Sequence, residues 1–139
     1  MSYNKIIVVT SIIENDNKIL ILKRSEKVKS FKHKWAGISG YFEKDEDLLS
    51  RALIEIYEET KVKNEDLILR KILKQITIKI ENEKVITIQP FYFLSKTKNI
   101  STDWEHSEYK WIKEDQLSNY DLVPKLIDII SECFLMNNK

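Results

Sequence analysis

Two runs rich in apolar and β-branched residues, 5–13 and 18–23, flank Glu14, Asn15, Asp16 and Asn17, a pattern that predicts a hairpin of two strands. A polar, basic stretch over 24–34 comes next, and 35–42 reads as a short strand or loop leading into a helix over about 45–60. Residues 61–66 end that helix. Alternation of β type returns over 69–80 and 85–94 around Glu81, Asn82, Glu83 and Lys84, which predicts a second long hairpin. Pro90 has no N–H to give a ladder, so it points to an edge or a bulge. Residues 96–106 read as a loop, 108–112 as a strand and 114–117 as a short helical turn. From 123 to about 136, Leu126, Ile129, Ile130 and Cys133 share one face of a closing amphipathic helix. With no internal repeat and no linker, this order predicts one α+β domain over 1–139, a mixed sheet covered on both faces by helices.

The helix at 45–60 carries the chemistry. Residues three and four apart lie on one helix face, so Glu55, Glu58 and Glu59 converge, while Leu49, Leu53 and Ile56 fall on another arc that can be buried. Like charges at that spacing repel by roughly 0.2–0.5 kcal/mol per pair on an isolated helix, and a cation would offset this. Hard divalent ions choose carboxylate oxygens, and Mg²⁺ typically uses one or two of them together with water and substrate phosphates. An acidic run alone is most simply a solvated face. Glycine use changes the reading. The chain has two glycines, Gly37 and Gly40, and both stand just before this helix, a placement suited to positive φ or to close approach of a ligand.

Charge and cysteine content narrow the classes. Lys and Arg total 23 against 22 Asp and Glu, and a net charge of +1 gives no general pull toward nucleic acid or an anionic membrane. Any site for a polyanion must therefore be local. The single cysteine, Cys133, excludes an internal disulfide and a multi-cysteine metal site, and its place among apolar helix positions makes it a core residue. Without a leader pattern or an apolar run of membrane length, a soluble cytoplasmic protein is expected.

From Gly40 to Val62 the chain resembles the Nudix box of MutT-like phosphoanhydride hydrolases. That pattern is a glycine, five residues, Glu, seven residues, then Arg-Glu-aliphatic-any-Glu-Glu-any-Gly-aliphatic. Seven of its nine fixed positions are filled, by Gly40, Glu46, Glu55, Ile56, Glu58, Glu59 and Val62. Ile54 stands where the family has arginine and Lys61 where it has the second glycine. The likeness extends outward. Residues 35–40 are similar to the segment leading into the box, and 105–112 to a later one in which an acidic loop residue precedes a strand ending in Trp and an aliphatic.

The resemblance implies the Nudix fold, an α/β/α sandwich with a mixed central sheet, and Mg²⁺- or Mn²⁺-dependent cleavage of a nucleoside diphosphate linked to another group. Glu55, Glu58 and Glu59 are its implied metal ligands, joined by a main-chain carbonyl near Ser39 or Gly40. A box carboxylate or the loop acid Glu105 would take the proton from water. Glu105 is preferred to Glu108, which suits an outward strand position, although both also read as solvated loop acids. Glu46 lies about 100° or more from the metal-facing arc and is assigned a supporting role at the helix start, with Glu43 able to serve the same turn.

Arg51, four residues before Glu55, is expected to pair with Glu55 or Glu58 in place of the absent arginine. Lys61 would cost about 1 kcal/mol if its backbone is left-handed. Arg24 is the candidate phosphate contact because its planar fork suits that group, whereas Lys27, Lys29, Lys32, His33 and Lys34 read as a solvated loop. Phe31, Trp35 and Phe42 are candidates for stacking on a base, although aromatics beside strands are more often core. His106 is expected at the surface rather than as a ligand.

A ribo- or deoxyribonucleoside triphosphate giving monophosphate and pyrophosphate is the leading substrate reading. ADP-ribose or a nucleotide sugar is the alternative. Ile54 and Lys61 motivate a different class, a nucleotide- or RNA-binding module without turnover, and the intact glutamates oppose it. An isomerase of the same superfamily would need a reactive cysteine, for which Cys133 is poorly placed. The nucleotide is the expected partner, and relatives are often homodimers.

Overall fold

The computed structural model describes residues 5–43, 45–80 and 84–137. Strands β1 (Lys5–Asn15) and β2 (Lys18–Arg24) form the predicted hairpin, joined by Asp16 and Asn17, whose φ values of 53° and 62° match a two-residue turn with the twist of its strands. Their pairing is short, Glu14 opposite Ile19 and Asn15 opposite Lys18. Beyond it β2 pairs with β3 (Trp35–Ala36), and β4 (Ile38–Tyr41) takes the place beside β1. On its other side β1 runs parallel to a long strand at Lys84–Ser95, which two antiparallel strands flank in turn. In chain order these flanking strands are β5 (Leu67–Ile72) and β6 (Ile76–Ile80), the long strand is β7, and β8 (His106–Ile112) pairs with β2. The sheet is mixed.

The single strand expected over 69–80 is two strands, and Pro90 explains the break. Leu73 donates its N–H to the Pro90 carbonyl at 3.1 Å, but proline has no N–H to return. The Gln89 side-chain amide donates to the Leu73 carbonyl instead, at 2.9 Å. Pro90 thus interrupts one ladder of an internal strand, so the edge alternative is corrected. The turn expected at 81–83 lies outside the described residues.

Side chains along each strand alternate between two cores. Val9, Ile13, Leu20, Leu22, Phe91 and Phe93 pack with Ala52 and Ile56 of α1 (Leu48–Thr60). On the opposite face, Ile12, Ile19, Ile21, Ile88 and Tyr92 pack with Leu126, Ile129, Ile130 and Cys133 of α2 (Leu126–Asn137). These are the expected helix, sheet and helix layers. Burial pushes the Cys133 thiol up to about 12, so it remains a packed thiol at neutral pH and supplies no nucleophile. Among the described residues no helix is long and apolar enough to cross a membrane.

Both ends of α1 are set by side-chain chemistry. It starts a little later than predicted because Asp47 caps it, with Oδ1 accepting from Ser50 N at 2.7 Å and Oδ2 from Ser50 Oγ at 2.8 Å. It ends at Lys61, which is left-handed at φ 64° and donates its N–H to Tyr57 O at 2.8 Å. Lysine in this glycine-like conformation costs about 1 kcal/mol. Its ammonium, 5.1 Å from the Tyr57 ring centroid, offsets part of that.

Candidate active site

The box helix meets the box glycine where α1 crosses β4. A Cβ built on Gly40 would lie 2.2 Å from both Cδ and Oε1 of Glu55, so no side chain fits there while Glu55 keeps its place. Gly40 has no positive φ, and close approach is the reason for glycine. A Cβ on Gly37 would meet the Ser11 carbonyl at 3.1 Å, a milder case.

Glu59 lies one turn beyond Glu55 and is 2% exposed. Its Oε2 has no hydrogen-bond donor among the described residues, and its side-chain neighbour is another acid, Glu55. Burial first, and then the Glu55 charge, hold the Glu59 carboxyl well above the usual carboxylate range. Glu55 is raised as well, mainly by burial and further by Glu58. Arg51 reaches only Glu55, at 3.4 Å, so the buried Glu59 beside it still requires a proton or a cation to offset their repulsion.

The β2–β8 ladder brings the other half of the site. Lys23 pairs with Glu108 and Arg24 with His106, so the register shifts across Ser107. Such shifts re-aim side chains. His106 turns inward, and Glu108 stays at the surface 3.5 Å from Lys23. Glu105 N–H and carbonyl are both held, by Asp103 Oδ1 at 3.2 Å and by Ser25 N at 2.8 Å. The Glu105 carboxyl is raised by burial, then by the charges of Asp103 and Glu55, and pulled down by that of Arg24. Arg24 is itself steadied by donating Nε–H to Ser30 O at 2.9 Å. Lys27, Lys29, Lys32 and His33 are exposed, as a solvated loop requires, and Lys34 pairs with Asp121 at 3.0 Å.

Arg51 bonds two of the box glutamates. Its Nε and Nη2 donate to the two oxygens of Glu46, both at 2.8 Å, and its Nη1 reaches Glu55 Oε1 at 3.4 Å. The pairing with Glu55 is present, while Glu46 rather than Glu58 is the principal partner. Glu46 also accepts the Glu43 N–H at 2.8 Å, and the Arg51 fork holds its carboxyl below the ordinary range. Glu46 therefore reaches the acidic arc through Arg51. Ile54 is exposed and lines a cleft of about 790 Å³ with Leu53, Tyr57, Glu58 and Lys63, away from Glu59.

Three sequence expectations are corrected. His106 is 5% exposed, with Nε2 3.7 Å from Glu59 Oε1 and Nδ1 2.9 Å from Asp103 Oδ1. Trp35 is buried in the α2-side core, edge-on to Tyr120, and Phe42 packs half-buried against the α1-side core. Trp35 offers no free face to a base, and Phe42 is only partly exposed. Exposed aromatics among the described residues include Phe31, Tyr41, Tyr57 and Trp104, of which only Phe31 was singled out from sequence.

The donor set fits a hard cation. Glu59 presents a buried carboxylate oxygen without a donor, Glu55 stands half-buried beside it, and Glu58 is exposed on the same helix. As placed, no three His, Cys, Asp or Glu side chains among the described residues form a metal cage. Mg²⁺ commonly takes one or two carboxylates and leaves the rest of its shell to water and phosphate.

The family model described as NUDIX domain matches residues 4–133. Among solved structures the chain is similar to the MutT protein from Methanosarcina mazei Go1, at 24% identity and a TM-score of 0.82 over 100% of this chain and 99% of that one. It is also similar to the E. coli dihydroneopterin triphosphate pyrophosphohydrolase, at 18% identity and a TM-score of 0.78 over 94% and 95% of the two chains. A C. elegans Ap4A hydrolase in a binary complex gives 16% identity and a TM-score of 0.74 over 96% and 98%. Comparison with curated proteins finds no significant match. These structures establish the fold, and with the family model spanning nearly all of the sequence, the chain belongs to the NUDIX domain family, to which its box pattern pointed.

Proposed function

We propose that this chain hydrolyses a phosphoanhydride bond of a nucleoside diphosphate that carries a further group, using Mg²⁺ or Mn²⁺. A nucleoside triphosphate giving monophosphate and pyrophosphate is the first substrate to test. The observation that carries the reading is the Glu55–Glu59 pair, with Glu55 held against Gly40 and the buried Glu59 without a donor for Oε2. Names among the structural neighbours support it, since one is a triphosphate pyrophosphohydrolase and another an Ap4A hydrolase.

Glu55 and Glu59 would hold the cation, with Glu58 at the rim. When bound, it supplies positive charge that offsets the phosphate oxygens in the transition state. Arg24 orients the polyphosphate through its fork. Glu105 accepts the proton of the attacking water, a role that its raised pKa favours by making the carboxylate a stronger base. The water oxygen bonds to one phosphorus of the bridge, the bridging P–O bond breaks, and the bridging oxygen leaves with the other phosphate group.

Arg51→Ala is expected to lower kcat/KM and Mg²⁺ affinity by about 10–100-fold, the usual range for losing a group that orients ligand side chains. Arg51→Lys should recover only part, because a point charge cannot bond Glu46 with two parallel donors. A titration of activity against Mg²⁺ checks this, and unchanged affinity and turnover in Arg51→Ala would remove Arg51 from the account. The reading as a whole is tested by product analysis over nucleoside triphosphates, dinucleoside polyphosphates, ADP-ribose and nucleotide sugars, with Mg²⁺ and with chelator. Cation-dependent release of a nucleoside monophosphate is expected. Binding without turnover across the panel would favour the non-catalytic module.

A further inference from the structure

We propose that His106, clamped by Asp103, is a positioning residue that sets the orientation of Glu59. This rests on the carboxylate reading above and adds a role for a residue outside the box. The clamp is closed from several directions. Asp103 Oδ1 accepts from His106 Nδ1 at 2.9 Å and from Glu105 N at 3.2 Å, and the Asp103 carbonyl accepts from His106 N at 3.2 Å. A carboxylate at Nδ1 keeps the ring proton on that nitrogen and fixes the ring plane. Nε2 is thereby aimed at Glu59 Oε1, 3.7 Å away, and both side chains are 2% exposed.

Glu59 is thus bounded on two sides. Glu55 stands toward the box, and His106 stands toward β8. A glutamate has three rotatable side-chain bonds, and its own helix does not fix which oxygen faces the site. The imidazole occupies the Oε1 side and leaves Oε2, which has no donor, for the cation. The turn that holds the ring also carries Glu105, so one short segment places the proposed base and steers a proposed ligand. This arrangement parallels metal sites in which a carboxylate–histidine pair orients a ligating group.

Two substitutions separate positioning from packing. Asn at 106 can place an amide nitrogen near the present Nδ1 and keep the Asp103 bond, but it is too short to reach Glu59. Gln extends an amide to the Nε2 position. Mn²⁺ alone is the probe, its affinity read by electron paramagnetic resonance on the metal-free chain, with thermal midpoints in chelator and kcat and KM measured alongside. We expect His106→Asn to bind Mn²⁺ about 10–100-fold more weakly and to lose kcat in preference to KM. His106→Gln should recover most of both, and the two metal-free variants should melt close together. If His106→Asn fails to fold, Asp103→Ala leaves the imidazole present without its clamp, and the same loss of Mn²⁺ affinity is expected. Wild-type Mn²⁺ affinity in His106→Asn or in Asp103→Ala, or equal losses in Asn and Gln, would overturn the proposal. A wild-type chain that binds no Mn²⁺ would overturn the carboxylate reading and this proposal with it.

Discussion

Glu59→Gln is expected to reduce kcat by about 10²-fold or more, as loss of a strong electrostatic contact in a transition state does, and yet to raise the stability of the metal-free protein. The two effects have one cause. Glu59 is buried beside Glu55 with no donor for Oε2, and an amide nitrogen in place of that oxygen would donate to the Glu55 carboxylate with no charge of its own to desolvate. A gain of about 0.5–2 kcal/mol is the range for relieving such a defect. Its pH dependence has a definite sign. A carboxyl whose pKa is raised by folding keeps its proton in the native state after the unfolded chain has released it, so stability falls as pH rises above the ordinary glutamate range. His106, lowered chiefly by burial, runs the other way below its ordinary value, which is why the difference between wild type and variant, measured in chelator, carries the result. The gap should widen as pH rises above the ordinary glutamate range. A variant that melts below wild type throughout, or that turns over normally, would contradict the assignment.

Gly40→Ala tests the other half of the pair. The added methyl would stand 2.2 Å from the Glu55 carboxyl carbon, and because Glu55 is the flexible partner, its carboxylate is displaced rather than the backbone. Arg51 bonds Glu55 at 3.4 Å, so the movement also disturbs the contact that links Glu46 to the arc. A shift of an ångström or more in a catalytic group costs about 10²-fold, and kcat/KM should fall by that order with little change in the far-ultraviolet spectrum. Gly37→Ala is the control, since its Cβ would meet backbone at 3.1 Å and not a proposed ligand. Near-normal turnover in Gly40→Ala would show that Glu55 need not occupy its present place.

Local spacing carried much of the molecule. The apolar alternation that predicted the strands does sort side chains to two helical layers, because period two puts Ile12 and Ile13 on opposite faces of β1. Glu55 and Glu59 were legible for the same kind of reason, one helical turn on one face. What escaped depends on partners remote in sequence. His106 looks like a surface residue in a polar loop until the shifted register opposite Arg24 turns it inward, and nothing near it in sequence gives that register. Its position directly after Glu105, at a strand start, was the available signal. Pro90 pointed to an edge or a bulge, and that it instead interrupts one ladder of an internal strand followed only from its pairing with Leu73. Arg51 was expected to pair with Glu55 or Glu58, and the contact is to Glu55. That Glu46 is its stronger partner arises because the chain folds back ahead of the Asp47 cap, a feature no helix wheel contains.

The central claim is that Glu55 and Glu59 together hold a divalent cation against the polyphosphate. Anomalous scattering from a crystal grown with Mn²⁺ and a slowly cleaved nucleoside triphosphate analogue tests it most directly. The account predicts manganese bonded to carboxylate oxygens of both Glu55 and Glu59 and to phosphate oxygens of the analogue. Manganese bound elsewhere, with those two side chains turned away from it and from the phosphates, would contradict it.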